Sequence, residues 1–321
     1  MRASELDYDL PAELIAQHPA TQRDASRLLV ADRATGAVRH RTFSDLPEEV
    51  GGYLTVVNDT RVVPARLQLR RSTGGAVEVL LLEPVGDGIW EALARPSRRL
   101  RPAERLEPGD TVSRGSSVEL VGALGGGRWR VRVVGEPPGE LPLPPYIHER
   151  PADPERYQTV YAREAGSAAA PTAGLHFSPD VLGRLDVERI TLRVGLDTFR
   201  PLTEETVEEH AIHGERYRVA PGAWARIDGA ERVLAVGTTS ARVVETLARG
   251  GPLEGRTELY MTPGFAFRRV DALLTNFHLP RTTLLALVMA FAGVEETRRL
   301  YAVAIEERYR FYSFGDAMLV L

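Results

Sequence analysis

Residues 232–249 read RVLAVGTTSARVVETLAR, an apolar run that meets a glycine and then continues with helical spacing. The run Arg232–Val236 is typical of a buried strand, and Ser240–Arg249 has the periodicity of a helix. Gly237 permits a tight turn between the two because it has no Cβ atom. A strand that leads directly into a helix favours a layered α/β fold.

The sequence on both sides of this stretch alternates in the same way. Further strands are predicted at Leu28–Val30, Leu54–Val57, Val187–Val194 and Met318–Leu321, and further helices at Pro11–Gln17, Thr282–Phe291 and Glu295–Tyr309. We therefore predict an α/β core, a mixed sheet with helices, formed by residues 1–65 and 146–321.

Residues 66–145 have a different pattern. Short apolar or alternating runs at Val77–Leu82, Val118–Val121 and Trp129–Val134 are separated by glycine-rich turns, and a proline-rich stretch closes the segment. Repeated short strands of this kind are typical of a small barrel. We expect a small all-β barrel domain inserted into the α/β core.

Composition excludes several classes of enzyme. The 321 residues include no cysteine, and all 40 basic residues are arginine. The first absence excludes disulfides, thiolate metal sites and cysteine nucleophiles, and the second excludes lysine Schiff bases and the lysine-containing phosphate loop.

Hydropathy favours a cytoplasmic protein. No apolar run reaches the roughly 18 residues that cross a bilayer, and the longest, Thr283–Val294, is typical of a buried helix. The first residues turn acidic at once and lack the apolar core of a signal peptide. A formal net charge of −4 does not by itself indicate nucleic-acid binding.

The turn at residues 236–242, VGTTSAR, is a candidate anion site. A helix N-terminus offers free N–H groups to a carboxylate or phosphate. Thr238, Thr239 and Ser240 add hydroxyls, and Arg242 adds a charged fork. An ordinary capped helix explains the same residues equally well.

Residues 166–177, GSAAAPTAGLHF, combine small side chains with a histidine and an aromatic ring. Small residues permit the close approach of a flat ligand, and His176 could transfer protons at neutral pH. A tight, buried connection is the alternative.

Residues 208–215, EEHAIHGE, resemble a metal-binding constellation, with His210 and His213 on one face of a predicted helix and Glu215 close by. No third histidine stands at a fixed offset. A metal site, an acid–base or ligand-binding site and a solvated helix all remain open.

Three other segments carry candidate polar groups. Residues 58–66 end a predicted strand, residues 262–267 form a turn between aromatic residues, and residues 275–280 place a polar pair before a proline that precedes an apolar helix. Open α/β sheets bind ligands at the ends of their strands. These segments therefore belong to the candidate site, but their spacing does not identify the ligand.

Several of these segments belong to a longer series of strings that occurs in order along the chain. The strings are YDLPAELIAQHPATQRDASRLLV (8–30), NDTRVVPARL (58–67), LPLPPYI (141–147), YQTVYA (157–162), GSAAAPTAGLHF (166–177), VGTTSARVVE (236–245), TPGFAFRRVDALLTNFHLPRTTLL (262–285) and YRFYSFGDAML (309–319). The series resembles the S-adenosylmethionine:tRNA ribosyltransferase-isomerases of queuosine biosynthesis. The resemblance is loosest in the barrel, where only the edges carry family strings.

The resemblance implies a reaction. Ribosyl from S-adenosylmethionine is joined to 7-aminomethyl-7-deazaguanine at the wobble position of a tRNA with a GUN anticodon, and isomerised to give epoxyqueuosine. Adenine and methionine leave. S-adenosylmethionine is a substrate here, and no metal or tightly bound cofactor is implied. The oligomeric state, including a homo-oligomer, stays open.

The resemblance also implies a set of site residues. The titratable groups in matching motifs, as candidate catalytic residues, are His176, His213, Glu215, His278 and Asp316. The candidate substrate-binding residues are Asn58, Asp59, Arg61, Arg66, Thr172, Gly174, Phe177, Thr198, Phe199, Gly237, Thr238, Thr239, Arg242, Pro263, Gly264, Phe265 and Asn276. Among these, Phe177, Phe199 and Phe265 could face the sulfonium by cation–π attraction.

With an RNA substrate, several arginines have a candidate role in binding phosphates. Arg61, Arg66 and the run of arginines at residues 95–105 could track phosphates, although such a run is also typical of a solvated face.

Two strings depart from the family pattern. VGLDTF (194–199) has Asp197 in place of a glycine and is preceded by Arg193, where the family often has histidine; IHGE (212–215) replaces MHSE. These changes affect local geometry and not the resemblance as a whole.

Two other functions are consistent with parts of the sequence. A methyltransferase would also use S-adenosylmethionine, but its glycine-rich loop after the first strand is missing. A non-catalytic RNA-binding module would use the barrel, yet most polar motifs lie in the other domain.

Overall fold

The computed structural model describes residues 1–109, 117–135, 141–149, 153–195, 202, 204–210, 212 and 214–321. The strands within these residues are β1 (Arg27–Ala31), β2 (Val38–Thr42), β3 (Leu54–Asn58), β4 (Thr60–Val62), β5 (Arg66–Arg71), β6 (Ala76–Gly86), β7 (Ile89–Arg95), β8 (Arg105–Pro108), β9 (Ser117–Gly125), β10 (Arg128–Val134), β11 (Glu164–Ser167), β12 (Asp186–Leu192), β13 (Glu215–Arg218), β14 (Val233–Val236), β15 (Glu254–Thr257), β16 (Ala272–Asn276) and β17 (Ala317–Val320). The α-helices are α1 (Leu46–Glu49), α2 (Pro179–Gly183), α3 (Pro221–Gly229), α4 (Gly237–Leu247), α5 (Thr283–Ala292) and α6 (Val294–Glu306).

The chain forms two compact units. The first consists of Met1–Thr60, Pro144–Glu164 and Ala170–Leu321, and the second of Arg61–Leu143 and Ala165–Ala169. A short separate sheet pairs β4 with β11.

The first unit has a mixed sheet in the order β15-β13-β12-β3-β14-β16-β17-β1-β2 in the described part of the chain. Strands β12, β3, β14 and β16 run parallel, β17 is antiparallel to β16, and β1 is parallel to β17. The carboxyl ends of the four parallel strands therefore share one edge with the amino ends of β17, β1 and β13. We call this the polar edge. The sheet with its helices confirms the predicted α/β class.

Burial explains why these segments form the centre of the sheet. Every residue of β3, β14, β16 and β17 is buried, as expected for strands covered on both faces. The apolar helix α5, most of whose residues are buried as its sequence predicts, packs against α4 and α6.

The second unit is a closed barrel in the order β10-β7-β6-β5-β8-β9, with antiparallel pairing throughout its described registers. Val77, Val79 and Leu81 alternate into its interior with at most 1% exposure. Trp129 and Val131 fill it from β10. The small all-β barrel is confirmed.

Two predicted helices are wrong. Between Pro11 and Gln17 only Ala12–Leu14 forms a 3-10 turn, because Ile15 and Ala16 pair instead with the backbone of Phe311. In the other case, a 3-10 helix at Val207–Glu209 ends before His210, so His210 lies on no helix face. The pairing that disrupts the first helix comes from almost 300 residues away, which local periodicity does not reveal.

Among the described residues, no helix is both long enough and apolar enough to span a membrane.

Candidate active site

The sheet topology gathers the polar motifs of the first unit at the polar edge. Asn58 and Asp59 end and follow β3, Gly237 follows β14, and Asn276 ends β16. The predicted site residues on or beside this edge are Asn58, Asp59, Glu215, Gly237, Thr238, Thr239, Asn276, His278 and Asp316. The motifs are far apart in sequence, and parallel pairing makes them neighbours.

His176 is buried behind this edge, at the end of the 3-10 helix Thr172–His176. Its Nδ1 lies 2.8 Å from Ser26 Oγ, its Nε2 lies 3.1 Å from Asn276 Nδ2, and its ring stacks on Phe43 at 5.1 Å. Burial lowers the pKa of His176 to about 4, against the opposing effect of Asp316. The imidazole is therefore neutral at pH 7.

The neighbours of His176 define its tautomer. Ser26 Oγ donates to the Arg23 carbonyl at 3.2 Å, so it accepts from Nδ1–H. Nε2 then accepts from the Asn276 amide, which also donates to the Tyr312 carbonyl at 3.1 Å. Asn276 Oδ1 is buried and has no hydrogen-bond partner among the described residues. A buried acceptor in this state is suited to an N–H or O–H of a ligand.

His278 occupies a second buried position near Asn276. Its Nε2 lies 2.7 Å from Thr275 Oγ1, and its backbone N–H donates to the Tyr301 hydroxyl at 2.9 Å. The Tyr8 hydroxyl donates to its carbonyl. Burial lowers the pKa of His278 to about 3, so this ring is also neutral at pH 7.

A small cleft, with a volume of about 20 Å³, brings residues of four motifs together. Its lining comprises Tyr146, Thr172, Asn276, Phe277, His278, Leu279, Thr282, Leu284, Tyr312 and Ser313. The rings of Tyr146 and Tyr312 lie 4.8 Å apart, and the Tyr146 hydroxyl is 2.6 Å from Ser313 Oγ. Aromatic walls with a few converging polar groups are features of small-molecule sites, and the volume of this cleft is close to that of one water molecule.

The small residues of the 166–177 segment have a packing role. A Cβ atom at Gly174 would lie 2.0 Å from the Tyr161 hydroxyl and 2.8 Å from Thr159 Cγ2. Phe177 is fully buried and packs edge-on against Phe43 at 5.0 Å and against Tyr161 at 6.0 Å. The hydroxyls of Thr159 and Tyr161 are buried and have no hydrogen-bond partner in the described part of the chain. This close-packed region therefore contains two hydroxyls that can still form hydrogen bonds.

The N-terminus of α4 has the geometry of an anion site. Gly237 has a φ of 82°, which favours glycine, and the eleven-residue helix has no side-chain cap. The hydroxyls of Thr239 and Ser240 are buried, and neither has a partner among the described residues. The side chains therefore do not act as ordinary caps, and the helix N–H groups remain suited to an anion.

Arg242 takes part in the scaffold of this turn. It forms an ion pair with Glu215 and donates to the carbonyls of Thr257 and Leu259 at 3.1 Å. Glu215 also accepts from the Gly195 N–H at 2.9 Å. The pair joins α4 to β13 and to the chain around β15, so both residues have a structural role, and direct roles in substrate binding or catalysis stay predictions.

Asn58 and Asp59 join β3 to β12. Asn58 donates to the Leu192 carbonyl and accepts from the Leu192 N–H, both at 3.0 Å. Asp59 is 1% exposed, accepts from Thr191 Oγ1 at 2.7 Å and pairs with Arg163 at 2.8 Å. Burial raises the pKa of Asp59 although the Thr191 hydrogen bond opposes this shift.

Asp316 has a similar structural role. It accepts from the backbone N–H groups of Arg27 at 3.0 Å and Arg310 at 2.8 Å, and from the Arg310 side chain at 3.2 Å. These bonds join the start of β1 to the turn before β17, close to the carbonyls that hold Asn276.

The loop with Pro263, Gly264 and Phe265 depends on a residue that the sequence analysis missed. The turn closes with a bond from the Phe265 N–H to the Thr262 carbonyl at 2.9 Å. Glu245 of α4 is fully buried and accepts from the backbone N–H groups that follow the loop, those of Arg268, Arg269 and Val270 at 2.8–3.0 Å. Its only sequence signal is an acid on the apolar face of a helix.

The remaining predicted residues lie elsewhere. Arg61 and Arg66 belong to the second unit, where Arg66 lies 3.8 Å from Glu78. His213, Thr198 and Phe199 lie outside the described residues, as does Asp197. His210 Nδ1 is 2.9 Å from Glu204, and the described part of the chain contains no cluster of three metal-ligating side chains.

Comparisons with known proteins agree with one another. The sequence model of the family described as queuosine biosynthesis protein matches residues 3–320. The chain is 54% identical to the S-adenosylmethionine:tRNA ribosyltransferase-isomerase of Rubrobacter xylanophilus, with 100% of this chain and 98% of that protein covered. It is 51% identical to the protein of the same name from Symbiobacterium thermophilum, with both chains fully covered. The crystal structure of S-adenosylmethionine tRNA ribosyltransferase from Thermotoga maritima matches with a TM-score of 0.56 and 36% identity, over 99% of this chain and 100% of that one.

Proposed function

Because the chain belongs to the S-adenosylmethionine:tRNA ribosyltransferase-isomerase family of queuosine biosynthesis, we propose that it transfers and isomerises the ribosyl group of S-adenosylmethionine onto 7-aminomethyl-7-deazaguanine at the tRNA wobble position. The product is epoxyqueuosine, and adenine and methionine are released. The tRNA substrates have a GUN anticodon, and the enzyme works in the cytoplasm. S-adenosylmethionine is consumed, and no resident metal or cofactor takes part.

The observation that carries this proposal is the cleft with His278 and Asn276 at the polar edge. Asn276 Oδ1 is a buried acceptor without a partner among the described residues, held in place because its amide group is fixed by His176 and the Tyr312 carbonyl. A nucleobase amino group supplies the hydrogen bond that this oxygen lacks. The anticodon loop is single-stranded, so its base can be splayed out and stacked on an aromatic side chain such as Tyr312.

The N-terminus of α4 supports a place for the methionine part of S-adenosylmethionine. The methionine carboxylate is an anion, and the uncapped helix offers N–H groups together with the buried hydroxyls of Thr239 and Ser240. Arg242 holds this turn through its ion pair with Glu215.

Proton transfer needs a base and an acid near the sulfonium. The sulfonium acidifies the adjacent methylene protons, so a neutral base takes one of them, and the departing adenine takes up a proton. His278 lines the cleft and is neutral at pH 7, which makes it the described residue best placed to be the base. His176 acts through Asn276 and is a positioning residue. His213, Glu215 and Asp316 stay predictions for the remaining roles.

The experiment combines purified protein, S-adenosylmethionine and tRNA that carries 7-aminomethyl-7-deazaguanine, with mass spectrometry of small molecules and digested nucleosides. We expect adenine, methionine and an epoxyqueuosine nucleoside. S-adenosylhomocysteine with a methylated nucleoside would indicate a methyltransferase. Tight tRNA binding with intact S-adenosylmethionine would indicate an RNA-binding module.

Single substitutions then test the site. We expect His278→Asn to lower kcat by a factor of about 100 or more, in the range for loss of a general base. His148→Asn is the matched control, because His148 is exposed and lies outside the cleft. Near-normal turnover by a folded His278→Asn variant removes His278 from the mechanism.

A further inference from the structure

A second opening lies beside the cleft at the polar edge of the first unit. It is a basin with a volume of about 490 Å³. Its lining comprises Ala20, Thr21, Gln22, Ala25, Arg27, Arg308, Arg310 and Asp316. The Asn276 amide of the cleft lies 3.4 Å from the Asp316 carbonyl. The turn with Arg308 and Arg310 continues directly into Tyr312, which lines the cleft. We call this opening the basic basin.

Two of the three arginines in the basic basin have acidic partners. Arg310 pairs with Asp316 at 3.2 Å. The Arg27 guanidinium lies 3.8 Å from the Glu307 carboxylate and donates to the Glu307 carbonyl at 2.6 Å. Asp316 is buried and also accepts from the backbone N–H groups of Arg27 and Arg310 at 3.0 and 2.8 Å. The two carboxylates therefore compensate Arg27 and Arg310 and fix their positions.

Arg308 supplies the charge that remains. Its side chain is exposed, and its guanidinium has no hydrogen-bond or ion-pair partner among the described residues. Three arginines against the carboxylates of Asp316 and Glu307 leave one positive charge. Because the Arg308 guanidinium is not engaged with the protein, it can bind an anion without breaking an existing contact.

The backbone at Arg308 has a conformation that disfavours a side chain. Helix α6 ends in a Schellman motif, in which the Arg308 N–H donates to the Ile305 carbonyl at 3.0 Å. The Tyr309 N–H donates to the Ala304 carbonyl at 2.8 Å and completes the motif. Glycine is usual at the position of Arg308, where the backbone is left-handed, with a φ of 54° here. Strained residues of this kind cluster at functional sites.

Position links the basic basin to the cleft. Asp316 precedes Ala317, which lies opposite Asn276 in the antiparallel register of β16 and β17. The two openings therefore lie at neighbouring strands of the polar edge, and such strands are about 4.8 Å apart. A nucleotide whose base enters the cleft carries its phosphate groups on the sugar beside that base, so a phosphate reaches the adjacent opening.

We propose that the basic basin binds a backbone phosphate of the tRNA next to the nucleotide whose base enters the cleft, with Arg308 as the main contact. The inference rests on the proposed function, since it assumes an RNA substrate. Arginine is suited to the role because its planar fork binds two phosphate oxygens at once. Arg27 and Arg310 add positively charged lining at positions that their acidic partners fix.

The test is the salt dependence of tRNA binding by Arg308→Gln. Loss of one phosphate contact decreases the slope of log K against log salt by about 0.7 for single-stranded RNA. The matched control is Arg298→Gln, because Arg298 lies on the same helix outside the basin and pairs with Glu295. It removes the same formal charge, so we expect the wild-type slope. Arg308→Lys keeps the charge and should keep the slope as well.

Thermal unfolding separates this contact from a role in ending α6. A cation at a helix C-terminus is favourable, so an arginine with that role alone would lower the unfolding temperature when it is replaced and leave the slope unchanged. We expect Arg308→Gly to lose the slope contribution and to unfold at a temperature no lower than the wild type, because glycine is favoured at this φ. S-adenosylmethionine binding, measured by calorimetry without tRNA, should match the wild type.

The readouts also separate this inference from the proposed function. An unchanged salt slope in Arg308→Gln, or an equal decrease in Arg298→Gln, refutes the basic basin as a phosphate site even if the enzyme turns over. A wild-type protein that binds tRNA without converting it refutes the proposed reaction, and the salt slope still decides the role of the basin.

Discussion

His176 and His278 are neutral because burial lowers their pKa values to about 4 and about 3. Both rings form hydrogen bonds through their nitrogens. His176 bonds to Ser26 and Asn276, and His278 bonds to Thr275. A neutral imidazole is the form that can accept a proton or fix an amide. At the residue scale, burial therefore prepares the chemistry of the cleft.

The same burial predicts a pH dependence of stability. In the unfolded chain both histidines titrate near pH 6.5, and in the folded chain they titrate lower, so the unfolded state binds more protons between these values. The free energy of unfolding therefore falls as the pH drops below about 6.5. At pH 5 each histidine accounts for a loss of about 2 kcal/mol relative to pH 7. Urea unfolding at pH 7 and at pH 5 measures this loss in the free energy of unfolding.

A folded His278→Asn variant provides the comparison for that measurement. We expect its stability to fall by about 2 kcal/mol less than that of the wild type between pH 7 and pH 5. Equal losses in the two proteins would show that His278 titrates normally in the folded state, and would remove the argument for a neutral base.

At the scale of elements, α4 organises two parts of the site at once. Its N-terminus presents Gly237 and the buried hydroxyls, and its second half carries Glu245, which holds the backbone after the Pro263–Phe265 turn. Arg249, one turn further, pairs with Glu245 and lies over the ring of Phe265 at 4.2 Å. One helix therefore couples the candidate anion site to the aromatic loop.

Glu245→Gln tests this coupling. The substitution removes the carboxylate that accepts from three backbone N–H groups and pairs with Arg249. We therefore expect the free energy of unfolding to fall by about 2–4 kcal/mol. Amide exchange should rise selectively at residues 263–270. The control is Glu296→Gln, since Glu296 pairs with Arg299 at the surface of α6 and should cost under about 1 kcal/mol. Similar effects of the two substitutions would contradict an organising role for Glu245.

At the scale of the whole molecule, the cleft and the uncapped helix belong to the first unit, and the barrel forms a unit with its own core. The barrel also carries positively charged side chains, the arginines of residues 95–105. The salt dependence of tRNA binding tests whether a given arginine contacts RNA, because each phosphate contact contributes separately to the slope of log K against log salt.

The barrel is tested with Arg98→Gln/Arg99→Gln/Arg101→Gln. If these arginines track phosphates, the slope of log K for tRNA against log salt decreases by about 2, with S-adenosylmethionine binding unchanged. A slope equal to that of the wild type removes the barrel arginines from the RNA-binding surface.

Local patterns were enough to predict much of this protein. The turn after Val236, the apolar strands around it, the helix at Thr283–Ala292 and the alternating strands of the barrel all follow from periodicity and glycine placement, because these depend on residues a few positions apart. The ordered strings from Tyr8 to Leu319 identified the family, and the comparisons confirm it.

Only the tertiary structure decided which of the polar residues meet. It placed Arg242 on Glu215, Asn276 against His176 and the buried Glu245 under the loop, and it replaced the predicted Pro11–Gln17 helix by pairing with Phe311. These contacts join residues up to about 300 positions apart. Their free energy comes from burial and from hydrogen bonds that close only when the sheet has formed, so no local sequence pattern encodes them.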